Sequence, residues 1–175
     1  MHKTVVWFGS PHKNGATAQL LYAYLAREGI DTYTLFDCFD RAPAPCTDCG
    51  CCKTVLSCAK RDLDDFYAEL EACDRLIIAT PVYNAGLPAP LKAAVDRLQP
   101  YFHARFSRGI RPPIQTPKAA TLLLCSGSEP DMRDSVLTQL LPAFTVIHAT
   151  LVDCISITGT DRADAAQKIA DAMRA

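Results

Sequence analysis

The fold is indicated by the run Thr4-Val5-Val6-Trp7-Phe8 together with the polar segment Gly9-Ser10-Pro11-His12-Lys13-Asn14-Gly15-Ala16-Thr17. A short, continuous apolar run of β-branched and aromatic residues is typical of a buried parallel strand. Residues 14–28 then place apolar side chains at helical spacing, with Gly29 as a plausible stop. A strand that passes through a polar loop into a helix is the repeating unit of an α/β sheet.

The same alternation continues along the chain. We predict further strands at 31–37, 76–79, 119–125 and 151–157, and helices at 62–72, 87–98, 132–148 and 161–173. Residues 99–118 are rich in proline and arginine and are expected to form an excursion on the surface. The pattern predicts an α/β fold with a doubly wound, five-stranded parallel sheet and helices on both faces. We expect one domain over residues 1–175, with a cysteine-rich loop at about 40–62.

Composition narrows the functional classes. The net charge is −1 and the pI about 6.4, which gives no reason to expect nucleic acid or an anionic membrane as a partner. The sequence has no apolar run of membrane-spanning length and no signal-peptide pattern, so we expect a cytoplasmic protein. Nine cysteines in a reducing compartment favour metal or redox chemistry over structural disulfides.

Four of these cysteines form a compact C-x2-C-x2-C-x5-C run, with Cys51 as an extra thiol that interrupts it. Three thiolates on one tight loop and a fourth nearby suit a [4Fe–4S] cluster. Tetrahedral zinc more often uses two separated C-x2-C pairs, and a redox-active or empty thiol loop is the third alternative. The spacing does not decide between Cys51 and Cys52. The candidate ligands are Cys46, Cys49, Cys52 and Cys58.

Three strand ends carry groups suited to a ligand, and in such sheets ligands bind beyond the carboxyl ends of the strands. Residues 9–17 offer hydroxyls, a cation and the amides of a helix start, which suit a phosphate, although the bland alternative is a capping turn. Residues 80–88 contain a proline and a glycine that predict a turn with backbone amides directed into a cleft. Residues 126–129 include small side chains, which would let a planar ring approach the backbone. Tyr83 could stack on such a ring or pack in the core.

These motifs together resemble the flavodoxin-like NAD(P)H-dependent FMN reductase superfamily, and within it the iron–sulfur flavoproteins. The matching segments are residues 9–17, the four-cysteine run, residues 80–83, Leu91-Lys92 and Asp96-Arg97. The resemblance implies a flavodoxin-like fold, bound FMN and a [4Fe–4S] cluster on the four cysteines. It assigns FMN contacts to Ser10, His12, Lys13, Asn14, Ala16, Thr17, Pro81, Val82, Tyr83, Asn84, Gly86, Ser126 and Gly127.

The sequence departs from the family pattern at two of these positions. The family usually has Arg where His12 stands and Asn where Ala16 stands, so two phosphate contacts are weakened or replaced, with Lys13 as the candidate replacement. No catalytic side chain is assigned, because the flavin itself carries the redox chemistry.

The leading hypothesis is an FMN-dependent oxidoreductase that carries electrons between NAD(P)H or a reduced ferredoxin and an acceptor. By resemblance it would form a homodimer or homotetramer. One alternative is an NAD(P)H-dependent FMN or quinone reductase without a cluster. An alternative of another class is a non-enzymatic redox carrier or sensor.

The remaining cysteines and the basic cluster are given structural roles. Cys73, Cys125 and Cys154 lie in or beside predicted strands and are expected in the core, and Cys38 is a spare thiol near the cysteine loop. Arg105, Arg108 and Arg111 are expected to form a solvated face, with a nicotinamide phosphate or a redox partner as the alternative.

Overall fold

A computed structural model describes residues 2–174 and contains one five-stranded sheet. Every adjacent pair of strands is parallel, and the spatial order is β2-β1-β3-β4-β5. This order confirms the predicted doubly wound, flavodoxin-like sheet. The strands are β1 (Thr4–Phe8), β2 (Thr34–Asp37), β3 (Arg75–Pro81), β4 (Lys118–Cys125) and β5 (Ala149–Ile157).

Within residues 2–174, seven helices connect and follow the strands, and they agree with the predicted helices except around residues 38–41 and 99–106. A short 3-10 turn, Cys51–Lys53, lies in the cysteine loop. The last helix begins four residues later than predicted, which leaves residues 161–164 in the loop after β5. The helices are α1 (Ala16–Arg27), α2 (Cys38–Arg41), α3 (Asp64–Ala72), α4 (Ala89–Asp96), α5 (Gln99–Phe106), α6 (Arg133–Val146) and α7 (Ala165–Arg174).

Both faces of the sheet are buried, as the continuous apolar strands predict. Val5 and Trp7 of β1 point to the face covered by α3 to α6, while Val6 and Phe8 point to the face covered by α1 and α7. Successive side chains of a strand alternate between faces, so each strand supplies both cores.

None of the helices in residues 2–174 is both long and apolar enough to cross a bilayer.

The expected surface excursion at residues 99–118 is wrong for residues 99–106 and for the buried Pro113 and Ile114, whereas residues 107–112 are irregular and largely exposed, as predicted. Residues 99–106 form α5, and Tyr101, Ala104 and Ile114 of this region are buried in the core. Pro100 does not prevent the helix, because proline is tolerated in a first turn, where its missing N–H would have no intrahelical partner. Pro100, Pro113 and Lys118 are buried as well, so the prolines that suggested a surface segment partly lie in the interior.

The carboxyl ends of β1 and β3 come together tightly at Gly9. Its backbone N–H donates to the carbonyl of Ala79 at 2.8 Å. A Cβ at position 9 would lie 2.8 Å from both Leu91 Cδ2 and Thr80 Oγ1, two groups that are fully buried. Glycine at this position therefore permits the close approach that places the loop after β1 beside the loop after β3.

Candidate functional site

A cleft lies beyond the carboxyl ends of β1, β3 and β4, at the switch point of the sheet. It measures about 1070 Å³ including its open mouth, which is large enough for a nucleotide-sized ligand. The structure brings nine of the thirteen predicted cofactor residues to this cleft: Ser10, His12, Ala16, Thr17, Pro81, Val82, Tyr83, Ser126 and Gly127. Their role in binding FMN stays a prediction.

One end of the cleft is suited to an anion. Helix α1 begins there, its N-cap Gly15 supplies no side-chain acceptor, and its first turn has no acidic residue. The amides and dipole of a helix start attract a phosphate. Ser10 and Thr17 are buried beside this start, and the His12 backbone N–H donates to Ser10 Oγ at 3.2 Å. The loop is therefore held in shape by its own hydroxyl.

Lys13 does not line the cleft. Its ammonium is ion-paired with Asp37 and, at 3.1 Å, with Asp40. Burial acts to lower the pKa of Lys13, but the hydrogen bonds to Asp37 and Asp40 outweigh it and raise the pKa. The lysine ties the loop after β1 to the end of β2. Its predicted use as a replacement phosphate contact has no support in this geometry, and Asn14 also lies outside the cleft lining.

The predicted ring-binding segment after β3 is a tight hairpin turn. Tyr83 and Gly86 exchange two backbone hydrogen bonds of 3.0 and 2.9 Å, and Asn84 and Ala85 between them both have positive φ. This conformation requires left-handed backbone at both central residues. Asn84 and Gly86 therefore shape the turn without lining the cleft, and Tyr83 is left 43% exposed at the cleft wall.

The left-handed backbone at Ala85 gives a stability prediction. Alanine at φ 59° has a strained conformation that glycine adopts freely. We expect Ala85→Gly to increase the free energy of unfolding by about 0.5–1 kcal/mol, despite the added freedom of the unfolded chain. Urea denaturation measures the change. The control is Ala68→Gly on the exposed side of α3, which should lose about 1 kcal/mol.

Sequence reasoning missed the contribution of the loop after β5. Thr160 and Asp161 line the cleft, and the Thr160 N–H donates to the carbonyl of Ser126 at 2.9 Å. A Cβ at Gly127 would collide with the Asp161 carboxylate, so this carboxylate lies directly over the small-residue segment after β4. Extending the strand-end rule to β5 would have found these residues.

The cysteine residues outside the loop have the structural roles expected for most of them. Cys73 and Cys125 are buried and Cys154 is half-buried. Burial raises the pKa of Cys125 to about 11, so this thiol at the cleft wall stays protonated. Cys38 is fully buried at the end of β2, so it is not the accessible spare thiol that the sequence suggested. It begins α2, where Asp37 caps the two following amides.

A second cavity is formed by the cysteine loop against α4 and α5. Cys46, Cys49, Cys52 and Cys58 all line it, whereas Cys51 does not. Burial raises the pKa of Cys52, and the neighbouring thiols of Cys58, Cys46 and Cys49 raise it further. The four thiols of the spaced run therefore face one shared volume.

The donor set of this cavity fits a [4Fe–4S] centre in ligand type and number. Within residues 2–174, no group of three or more His, Cys, Asp or Glu side chains is close enough together to hold one metal ion. A mononuclear site needs its sulfurs about 2.3 Å from one point. In a [4Fe–4S] cube each thiolate binds its own iron, so the four sulfurs stand farther apart. The four cysteines that line this cavity match the ligand type and number of such a cube.

Two arginines hold the cysteine loop, and sequence reasoning assigned this role to neither. Arg97 is 1% exposed and donates to the carbonyls of Ala44 at 2.9 Å and Lys60 at 2.8 Å, and to Asp62 at 2.9 Å. These bonds fix both ends of the loop to the end of α4.

Arg108 holds the middle of the loop. It donates to the carbonyls of Cys52 at 2.7 Å and Lys53 at 3.2 Å. The expected solvated face at Arg105, Arg108 and Arg111 is therefore wrong for Arg108, because loop carbonyls take up its donors. A count of charges along the sequence could not show which arginine meets a loop some fifty residues away.

Comparison with solved structures agrees with this fold. The NAD(P)H:quinone oxidoreductase from Methanothermobacter marburgensis superposes with a TM-score of 0.74 at 17% identity, covering 99% of this chain and 93% of that one. At this level of identity the likeness shows the fold alone.

Sequence relatives and a family model narrow the classification. The chain is 39% identical over 93 residues to an iron-sulfur flavoprotein of Methanosarcina thermophila, covering 51% of this chain and 48% of the relative. It is 27% identical over 150 residues to an iron-sulfur flavoprotein of Archaeoglobus fulgidus, covering 83% and 64%. The chain thus spans less than two thirds of either relative. The model of the NADPH-dependent FMN reductase family matches residues 2–161, so the chain belongs to that family.

Proposed function

We propose that this protein is an FMN-dependent oxidoreductase that passes electrons from NAD(P)H or a reduced ferredoxin to an acceptor, with a [4Fe–4S] cluster on its cysteine loop. The proposal rests on the presence of two cavities. One is the cleft at the switch point of the sheet, and the other is the cavity lined by the four cysteines. The first loop of the cleft follows β1, and the cysteine loop follows β2 and the short α2, so the two cavities are built on neighbouring strands of the sheet. Family membership supports FMN as the ligand of the cleft.

FMN, when bound, accepts two electrons and releases them singly, which lets a hydride donor serve a one-electron acceptor. The chain's own task is to bind and orient. The start of α1 and the Ser10 and Thr17 hydroxyls would hold the phosphate, and Tyr83 and the segment at 126–128 would flank the ring. No side chain is needed as a general acid or base.

His12 gives a prediction for the phosphate end of the cleft. We expect His12→Arg to tighten FMN binding about tenfold, because arginine adds a permanent cation that can donate twice to one phosphate. Fluorescence titration of the flavin-free protein measures the affinity. Ala26→Arg on α1 is a control, because it adds the same charge outside the cleft, and it should leave the affinity unchanged. Equal tightening in both variants would contradict a local phosphate contact.

A second candidate is an NAD(P)H-dependent reductase that uses FMN without a cluster. It is favoured by the family model that matches residues 2–161, which describes an NADPH-dependent FMN reductase. In that case the four thiols serve only the loop structure or thiol chemistry.

The visible spectrum of anaerobically purified protein, with iron and sulfide assayed on the same sample, tests the proposal. Two flavin peaks over a broad shoulder, with about four irons and four sulfides per chain, are expected. Flavin peaks without iron or sulfide would select the second candidate. A protein without flavin would contradict both.

A further inference from the structure

Arg97 has one N–H donor that the described protein leaves unused. An arginine side chain has five N–H donors. Both donors of Nη1 are engaged, by the Ala44 carbonyl at 2.9 Å and by Asp62 Oδ2 at 3.3 Å. Both donors of Nη2 are engaged, by the Lys60 carbonyl at 2.8 Å and by Asp62 Oδ1 at 2.9 Å. The fifth donor, on Nε, is buried and has no acceptor among residues 2–174.

The position of Arg97 points to the missing acceptor. A buried donor without an acceptor is destabilising, so native proteins rarely leave one. Arg97 lines the same cavity as Cys46, Cys49, Cys52 and Cys58. Because the four other donors hold the guanidinium rigidly against the loop ends, the charged side chain of Arg97 stays at the wall of this cavity.

We propose that Arg97 donates its Nε–H to a sulfur of the centre in the four-cysteine cavity and raises the reduction potential of that centre. This inference rests on the proposed [4Fe–4S] cluster. On reduction the cluster gains one electron from the donor, and no covalent bond forms or breaks. The reduced cluster carries one more negative charge, so an adjacent cation and a hydrogen bond to sulfur stabilise it more than the oxidised form. Arg97 is thus a positioning residue that also tunes the potential.

Two substitutions separate this role from loop support. At a fixed ambient potential, Arg97→Gln should lower the ratio of reduced to oxidised cluster about tenfold, equivalent to about 59 mV for one electron. Arg97→Lys keeps a positive charge and should shift the ratio less. The control is Arg108→Gln, which loosens the same loop and removes a cation outside the cavity lining, so it should lower the ratio clearly less than Arg97→Gln does. An equal shift in both variants would contradict a hydrogen bond from Arg97 to the cluster. Dithionite titration followed by EPR measures the ratio in samples matched for iron and sulfide.

A measurement on the wild-type protein tests the contact between Arg97 and the cluster even if Arg97→Gln loses its cluster. Protein grown with guanidino-¹⁵N arginine should show a ¹⁵N coupling to the reduced cluster in pulsed EPR, and this coupling should persist in Arg108→Gln. A loaded cluster with no arginine coupling, or a potential unchanged in Arg97→Gln, would overturn this inference alone. Wild-type protein without iron and sulfide would overturn the proposed cluster and this inference with it.

Discussion

Cys52→Ser should abolish the iron and sulfide content of anaerobically purified protein, whereas Cys51→Ser should leave it unchanged. Cys52 lines the cavity with Cys46, Cys49 and Cys58. Burial raises the pKa of Cys52, and electrostatic interaction with these three neighbours raises it further. Cys51 is adjacent in sequence but outside the cavity lining. A cube that loses one of four thiolate ligands exposes an iron and is readily lost.

The pair of serine variants is matched, because both change one thiol in the same 3-10 turn. Iron and sulfide assays give the primary readout, and flavin content of the same samples shows whether the fold is intact. Loss of iron from Cys51→Ser with retention in Cys52→Ser would reverse the ligand assignment. Retention in both would indicate that neither thiol binds iron.

Asp62→Asn should lower the free energy of unfolding at pH 7 by about 2 kcal/mol. The Asp62 carboxylate pairs with the buried Arg97 at 2.9 Å and accepts the Ala44 N–H at 2.9 Å. Removing one partner of a buried pair costs about 3–5 kcal/mol, and we reduce this value because Asp62 is 37% exposed. Urea denaturation of samples with equal flavin and iron content measures the loss.

The same contact predicts a pH dependence. Burial acts to raise the pKa of Asp62, but the hydrogen bonds from Arg97 and Ala44 outweigh it and lower the pKa. A lowered folded-state pKa contributes stability that is present above the unfolded value of about 3.9 and is lost as pH falls through the folded value. The difference between wild type and Asp62→Asn should therefore shrink below about pH 4.

An exposed pair provides the control for this prediction. Lys92 and Asp96 form an i,i+4 pair on α4 in which both side chains are over 40% exposed. Asp96→Asn should cost no more than about 0.5 kcal/mol. A loss in Asp62→Asn no larger than in Asp96→Asn would show that the loop ends do not depend on the buried arginine.

Much of the architecture was predictable, since it depends on local patterns. The apolar runs at 4–8, 76–79 and 119–125 identified three central strands to within two residues at each end, because strands buried on both faces are continuously apolar. The failures lie where burial is sparse. Helix α5 buries only Pro100, Tyr101 and Ala104, within a stretch whose other residues are mostly polar.

The candidate site divides in the same way. Nine predicted residues meet at the cleft because they follow strand ends, and the parallel sheet brings those ends to one edge. Lys13 and Asn84 also follow strand ends but do not line the cleft, because the direction of a side chain depends on the residues that surround it in space. Lys13 turns to Asp37 across the β1–β2 edge, and Asn84 is held in a left-handed turn.

The sequence by itself determined the alternation of strands and helices, the order of the ligand-bearing loops and the spacing of the four cysteines, because all three depend on residues close together in the chain. The tertiary structure decided which thiol of the Cys51–Cys52 pair faces the shared cavity and which arginines hold the loop. These contacts join residues separated by some 35 to 56 positions, and only the packing of α4 and α5 against the loop brings them within hydrogen-bond distance.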